Sequence, residues 1–267
     1  MVCARTCSNC AARRAKRCSR GPASRCSPSS APSPRGGTPR LDDHPDGRLP
    51  GLPGTWALAD DCVTLTATGA DGLTVDGRPF DGQVRLSADL GPTEAARVAY
   101  GERRLVVLVR EGVWGVRDFD PAAPARQAFR GIEATPYDPR WSVPGRFTPY
   151  DARRTVRAPN ADGVERGLGL GGEVTFVLDG QELTLKAAIL DDGLLWAVFG
   201  DTTSGDGSYR FRFLYPSAPD AEGRTTVDFN RALLPPCAFA DHFICPFPPP
   251  GNTLGVAVAA GERNPAR

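Results

Sequence analysis

Lysine and histidine each occur only twice in this chain, methionine once, and no long apolar run is present. Each shortage removes a class of function. With only His44 and His242 available, a three-histidine zinc centre cannot be assembled. A serine triad would have to use His242, and no G-x-S-x-G elbow is there to present its nucleophile. Beyond residue 40 the single lysine, Lys186, has no Walker loop around it, so P-loop phosphate binding is absent. No stretch reaches the roughly 18 apolar residues of a membrane-spanning helix. Cysteine is scarce past the first 40 residues, where only Cys62, Cys237 and Cys245 remain, too few for a disulfide scaffold.

Charge is short where a polyanion binder would need it. Residues 1–40 hold nine of the 32 Lys and Arg and none of the 31 acids, which leaves 23 basic against 31 acidic groups, or −8, for residues 41–267. Such a body has no basic surplus to neutralise phosphates, which argues against a nucleic-acid partner. The opening 40 residues contain no Leu, Ile, Phe, Trp or Tyr. They have nothing to bury against the entropy of ordering, so a disordered tail is expected. They also lack the apolar segment of a secretory signal, and cytoplasmic residence is the default expectation. The tail's Arg, Ala, Ser, Pro, Cys and Gly bias matches GC-rich coding read out of frame, so a frameshift or a misplaced start is the expected origin. A zinc-binding tail built on Cys3, Cys7, Cys10, Cys18 and Cys26 is the competing reading, and it has no apolar residues to pack around the metal.

What is abundant is short alternating apolar runs separated by Gly, Asp, Asn and Pro, with almost no helical periodicity. The expected fold is all-β: antiparallel strands forming two packed sheets or a partly closed barrel. A first lobe over 41–130 includes "CVTLTA", "GLTVDG", "QVRLSA", "RLVVLVR" and "VWGVRDF", with a short helix over Pro124 to Phe129. A proline-rich connector spans 131–151, and a second lobe spans 152–267. Within the second lobe Asp179-Gly180 separates "EVTFVL" from "ELTLKAAIL", the signature of a type I′ hairpin. "DDG" then leads to "LLWAVFGD" and completes a three-stranded meander. "YRFRFLY" alternates Arg210 and Arg212 against Phe211 and Phe213, predicting one charged and one apolar face. "TTVDFN" likewise places Asp228 and Asn230 opposite Val227 and Phe229. "LGVAVAAGE" is expected as a last strand.

Two motifs promise more than they hold. "GLGLGG", Gly167 to Gly172, leads into a strand where a dinucleotide loop requires a helix N-terminus, so a flexible entry to the sheet is expected. "VFGDTTSG" has an aspartic-protease flavour, but Thr203 stands where glycine is required and no second copy exists, which favours a turn. The densest chemistry lies between Asp228 and Leu254. Cys237 and Cys245 are separated by seven residues, and three readings stand: small buried thiols under a proline cover, a redox pair, or metal ligands with His242, completed by Cys62 or a carboxylate. The stretch "PFPPPGN" is a stiff strap, expected to pack on its own body.

The ordered series "FGDTTSGDGSYRFRFL", "TVDFNRALLPPCAF", "ICPFPPPGNTL" and "AAGER" resembles the bacterial and archaeal domain of unknown function 1684, over about Leu41 to Arg263. The resemblance implies no activity and no cofactor. It implies recurring positions at Asp201, Ser204, Gly205, Tyr209, Arg212, Asp228, Asn230, Pro236, Cys237, Cys245, Pro246, Asn252, Gly261 and Glu262, and His242 is not among them. It also implies a helical, tryptophan-containing lead-in before Leu41, where this chain has its odd tail.

The leading expectation is a domain that binds a small, anionic molecule near the strap, through Asp201, Ser204, Gly205, Tyr209, Arg212, Asp228, Asn230, Cys237, Cys245 and Asn252. An arginine held by an acid receives carboxylate or phosphate well. The same residues read equally as an internal salt bridge and turn caps. The alternatives are a hydrolase with Asp201 or Asp228 as general base and Cys237 as nucleophile, and an interaction protein without a pocket.

Overall fold

The computed structural model describes residues 38–110, 112–240 and 243–266. The expected disorder, frameshift and zinc reading of residues 1–37 lie outside them. Thr38 to Arg40, assigned to the tail by composition, are held along a strand: Val116 N–H donates to the Pro39 carbonyl and Arg117 Nε to Thr38 Oγ1 at 2.9 Å. The described chain is almost entirely antiparallel β and divides into two compact units, one ending at Ala128 and one from Phe129 onward.

The first unit contains β1 (Thr55–Ala59), β2 (Cys62–Ala67) and β5 (Gly82–Leu86) in one sheet. Its second sheet has the order β4-β3-β6-β7-β8, from β3 (Leu73–Val75), β4 (Arg78–Pro79), β6 (Val98–Tyr100), β7 (Arg103–Arg110) and β8 (Val113–Phe119). Alternation places Val63 and Leu65, Leu73 and Val75, and Leu105 and Val107 inward around Trp56 and Trp114 in a single apolar core. A short helix, α1 (Pro124–Ala128), closes the unit where the sequence predicts one.

The second unit is built on a six-stranded sheet of order β14-β13-β12-β11-β10-β15. Its strands are β10 (Ser142–Pro159), β11 (Glu165–Leu178), β12 (Gln181–Ile189), β13 (Leu195–Phe199), β14 (Arg212–Leu214) and β15 (Arg224–Asp228). A separate ribbon pairs β9 (Gly131–Ala134) with β16 (Glu262–Ala266). Residues 131–151 therefore hold β9 and the first half of β10, and are more than a connector. The predicted meander is present. Asp179 and Gly180 both have positive φ, 49° and 75°, as a type I′ turn requires.

β10 and β11 are longer than any neighbour. β12 pairs with β11 only from Gly172 to Leu178, so residues 154–159 and 165–170 project as a two-stranded arm. The register between β10 and β11 slips between Pro149 and Arg154, and a bulge of this kind bends a ribbon. The bend uses the glycines opposite it. A Cβ at Gly172 would lie 2.4 Å from the Thr148 carbonyl oxygen, and one at Gly171 2.7 Å from Ile189. "GLGLGG" is thus a tightly approached ridge inside a strand, not a flexible entry to the sheet.

This bend divides the apolar interior of the unit in two. Phe147, Val174, Phe176, Leu185, Ala197 and Phe199 form the inner core with Val227 and Phe229. Val156, Ala158, Leu168 and Leu170 of the arm instead meet Trp196 and Val198 on the opposite face of β13, together with Phe211, Phe213, Cys237 and Cys245. Strand β13 is consequently buried on both sides.

Candidate functional site

The predicted site residues fall into separate groups. The most buried contains Asp201, Ser204 and Arg212. Asp201 opens the turn after β13: its Oδ1 accepts from Thr203 N–H and Thr203 Oγ1, each at 2.7 Å, while Ser204 Oγ accepts from Asp201 N–H at 3.0 Å. Gly205, at φ 89°, lets this turn close so that Ser204 bridges to Ser208. Asp201 Oδ2 accepts from Arg212 Nη2 at 2.5 Å, and both side chains are fully buried.

The remaining Arg212 donors explain why that ion pair exists. Residues Leu254, Val256, Val258 and Ala260 alternate into the inner core, and backbone bonds to residues 200–202 reach as far as Val256, yet the expected last strand does not continue over Val258 and Ala260. Arg212 supplies the donors instead. Its Nη1 donates to the Ala260 carbonyl at 2.6 Å and its Nη2 to the Val258 carbonyl at 2.9 Å. Burial pulls its pKa below the usual arginine value and the Asp201 carboxylate opposes that shift. Only Nε is left without a partner. Arg212 is a strut, and the predicted charged face of "YRFRFLY" is not one face at all: Arg210 is exposed while Phe211, Arg212 and Phe213 are all buried. A strand covered on both sides reads by its partners and not by its parity.

Asp228 and Asn230 form a second group. Asp228 Oδ1 accepts from Asn230 N–H at 3.1 Å, while the Asn230 amide accepts from Asp138 N–H at 3.0 Å and donates to the Asp138 carbonyl at 2.9 Å. This is a cap and a backbone clamp. Asn252 does the same elsewhere. Wholly buried, it accepts from Lys186 N–H and donates to the Lys186 and Val198 carbonyls, all at 2.9 Å, tying β12 to β13. Pro236 opens a 3-10 turn over Pro236–Ala238, and Gly261 has the positive φ, 72°, of a tight approach to the Phe229 and Ala232 carbonyls.

The third group is chemically different. Tyr209 Oη lies 3.1 Å from the Cys237 carbonyl and 3.6 Å from its Sγ. The thiol of Cys237 is pulled below its ordinary pKa chiefly by a hydrogen bond from the Cys245 thiol; burial opposes this, and Tyr209 and the charge of Arg210 add to it. Burial is the main cause that pushes the Tyr209 phenol up, followed by Cys237. The strap brings Cys245 to this place by bonding to the tip of the β10–β11 arm: Ala161 N–H donates to the Cys245 carbonyl, Phe247 N–H to the Pro159 carbonyl, and Asn160 Nδ2 to the Ile244 carbonyl. Phe247 then packs on Phe211 with centroids 4.9 Å apart, and Arg210 lies over the rings of Phe247 and Tyr209 at 4.8 and 5.7 Å.

Four residues here were not singled out from the sequence: Arg210, Phe247, Trp196 and Asn160. Trp196 Nε1 and Asn160 Oδ1 are buried and have no hydrogen-bond partner. Sequence pattern offered no signal for them, since both sit in ordinary strand and turn contexts. His242 lies outside the described residues, and among the described residues no three His, Cys, Asp or Glu side chains are grouped to hold a metal. Cys62 belongs to the first unit, where its thiol donates to the Ala59 carbonyl. Among the described residues no helix is long and apolar enough to cross a membrane.

Fold and site together define an antiparallel β domain with an aromatic, thiol-bearing cluster on the outer face of a bent sheet. The chain belongs to the family described as Protein of unknown function (DUF1684), whose model matches residues 127–263. The matched segment starts near the second unit, well after the Leu41 that the resemblance implied. A solution NMR structure of an uncharacterized protein of Haloarcula marismortui is 33% identical, with 54% of this chain and 82% of that one covered and a TM-score of 0.44. No curated protein matches the chain.

Proposed function

We propose that the second unit binds a small anionic molecule beside the Cys/Pro strap, against the outer face of β13 and β14. The acidic group is received by Arg210, and the apolar body rests on the part-exposed rings of Phe247 and Tyr209. Of the ten residues expected to bind, Tyr209, Cys237 and Cys245 line this place. Asp201, Ser204, Gly205, Arg212, Asp228, Asn230 and Asn252 hold the frame around it.

The observation that carries the reading is the pair of unpartnered buried atoms, the Trp196 Nε1 donor and the Asn160 Oδ1 acceptor, in the walls beneath the strap. Buried polar atoms nearly always have partners, and each exception calls for an explanation, a functional role among them. Arg210 supports it: exposed, it makes no ion pair among the described residues and lies over two rings, where a cation is only partly compensated. A cytoplasmic setting, in which the thiols stay reduced, is part of this proposal.

Anilinonaphthalene sulfonate, an aromatic anion, is a suitable probe. Its fluorescence should rise on titration with the full chain, and Arg210→Ala should weaken binding about tenfold, the loss of one charge-assisted contact of about 1.4 kcal/mol. Equal binding by wild type and Arg210→Ala overturns the reading.

A further inference from the structure

The same cluster carries a chemistry that does not depend on the ligand. From the placement of Cys237 and Cys245 we infer that the pair is a reactive dithiol, which a hydroperoxide oxidises to an intramolecular disulfide within the strap.

Both sulfurs are presented by pinned backbone. Cys237 sits in the 3-10 turn Pro236–Ala238, which is held at its end by Phe239 N–H donating to the Pro236 carbonyl. Cys245 is fixed from the other side by its carbonyl bond to Ala161 and by the adjacent bridge of Pro246 to Asn160. Across the seven intervening residues the two side chains return to one buried cluster, where the Cys245 thiol is the neighbour that most lowers the pKa of Cys237. Thiolate character at Cys237 is favoured by its neighbours: the Tyr209 hydroxyl is 3.6 Å away, and the Arg210 guanidinium lies over that same tyrosine ring. A thiolate beside a cation is the reactive form of cysteine.

The reaction balances without further components. The Cys237 thiolate attacks one peroxide oxygen, the O–O bond breaks, and the departing alkoxide or hydroxide takes up a proton. Cys237 is then a sulfenic acid, two electrons oxidised. The Cys245 sulfur attacks it, the S–O bond breaks, hydroxide leaves and combines with the Cys245 proton as water, and the disulfide forms. Overall two thiols and one hydroperoxide give one disulfide, one alcohol or water, and one water.

The molecule contains its own control. Cys62 and Cys237 have the same exposure, 6%, but the Cys62 thiol is bonded to the Ala59 carbonyl of its own hairpin. Burial alone therefore predicts equal rates, and the dithiol predicts unequal ones. The sequence makes the measurement direct, because no Lys or Arg lies between Arg231 and Arg263, so trypsin leaves both cysteines on one peptide.

The full chain is treated with a small excess of hydrogen peroxide, quenched with iodoacetamide, digested, and read by mass spectrometry over time. Residues 232–263 should lose two hydrogens and become resistant to alkylation, at least about tenfold faster than Cys62 is oxidised. Tyr209→Phe should slow that loss severalfold, and Cys245→Ser should stop the reaction at a sulfenic acid on Cys237 that dimedone captures. If Cys237 is oxidised no faster than Cys62 in the wild-type chain, or pairs with a cysteine of residues 1–40 in preference to Cys245, the inference fails. The wild-type comparison needs no variant, so misfolding of either substitution does not blunt it. Loss of peroxide reactivity with sulfonate binding intact, or the reverse, separates this inference from the binding reading.

Discussion

The two apolar clusters of the second unit share strand β13 but are organised in opposite ways. The inner one is hydrocarbon enclosing one polar strut, Arg212 with Asp201, whose donors serve a carboxylate and backbone carbonyls. The outer one is aromatic and sulfur-rich, has an exposed cation at its edge and contains buried polar atoms without partners. Apart from Arg212 Nε, the inner polar groups are spent within the fold and have little to offer a ligand. A cluster whose groups are not satisfied has reactivity to spare. The arginines two residues apart in "YRFRF" state the contrast most simply, since Arg212 is consumed by the fold and Arg210 makes no ion pair among the described residues.

The largest expected effect lies on the inner side. Arg212→Ala strips donors from the Val258 and Ala260 carbonyls and leaves Asp201 buried and unpaired, so a loss of about 3–5 kcal/mol is expected. Set against the about 5–15 kcal/mol of a typical domain, this should appear as a collapse of the unfolding midpoint in denaturant. Asn252→Ala comes next: it leaves the Lys186 N–H and two carbonyls without their side-chain partner, at a cost of about 2–3 kcal/mol by the same measurement. On the outer side, Arg210→Ala should leave the midpoint unchanged within about 0.5 kcal/mol while weakening the aromatic anion. If it unfolds the protein as Arg212→Ala does, the two clusters are not different in kind. The smallest effect concerns protons. Because its neighbours pull the Cys237 thiol down, its alkylation by iodoacetamide should reach half-maximal rate at a lower pH than free cysteine. Tyr209→Phe should move that midpoint upward.

Much of the frame was legible because it rests on local rules. The Asp179-Gly180 turn, the meander around it, the strands of the first unit and α1 follow from alternation and turn chemistry. The ribbon strand β9 and the first half of β10 were hidden by Pro136, Pro139, Pro144 and Pro149, which made residues 131–151 read as a connector. Proline is tolerated in a strand where pairing is interrupted, and here Pro149 is the last residue before the register slip and Pro159 ends the strand. Residues 254–262 were read as a strand because alternation reports burial, and burial was correct; what they lack is a continuous ladder, since their backbone bonds to residues 200–202 end at Val256. Asp201, Ser204, Asp228, Asn230 and Asn252, expected to bind, each make hydrogen bonds within the chain. Residue type alone does not separate a clamp from a ligand contact.

From its order of residues the chain carries its all-β character, its hairpins and its pair of cysteines seven residues apart, because each depends on interactions between near neighbours. Which arginine is buried, which thiol touches which, and which polar atoms are left over depended on residues far apart in the chain meeting at one place. A bent arm, a returning strap and a doubly covered strand bring them there, and a pattern of neighbours cannot express that.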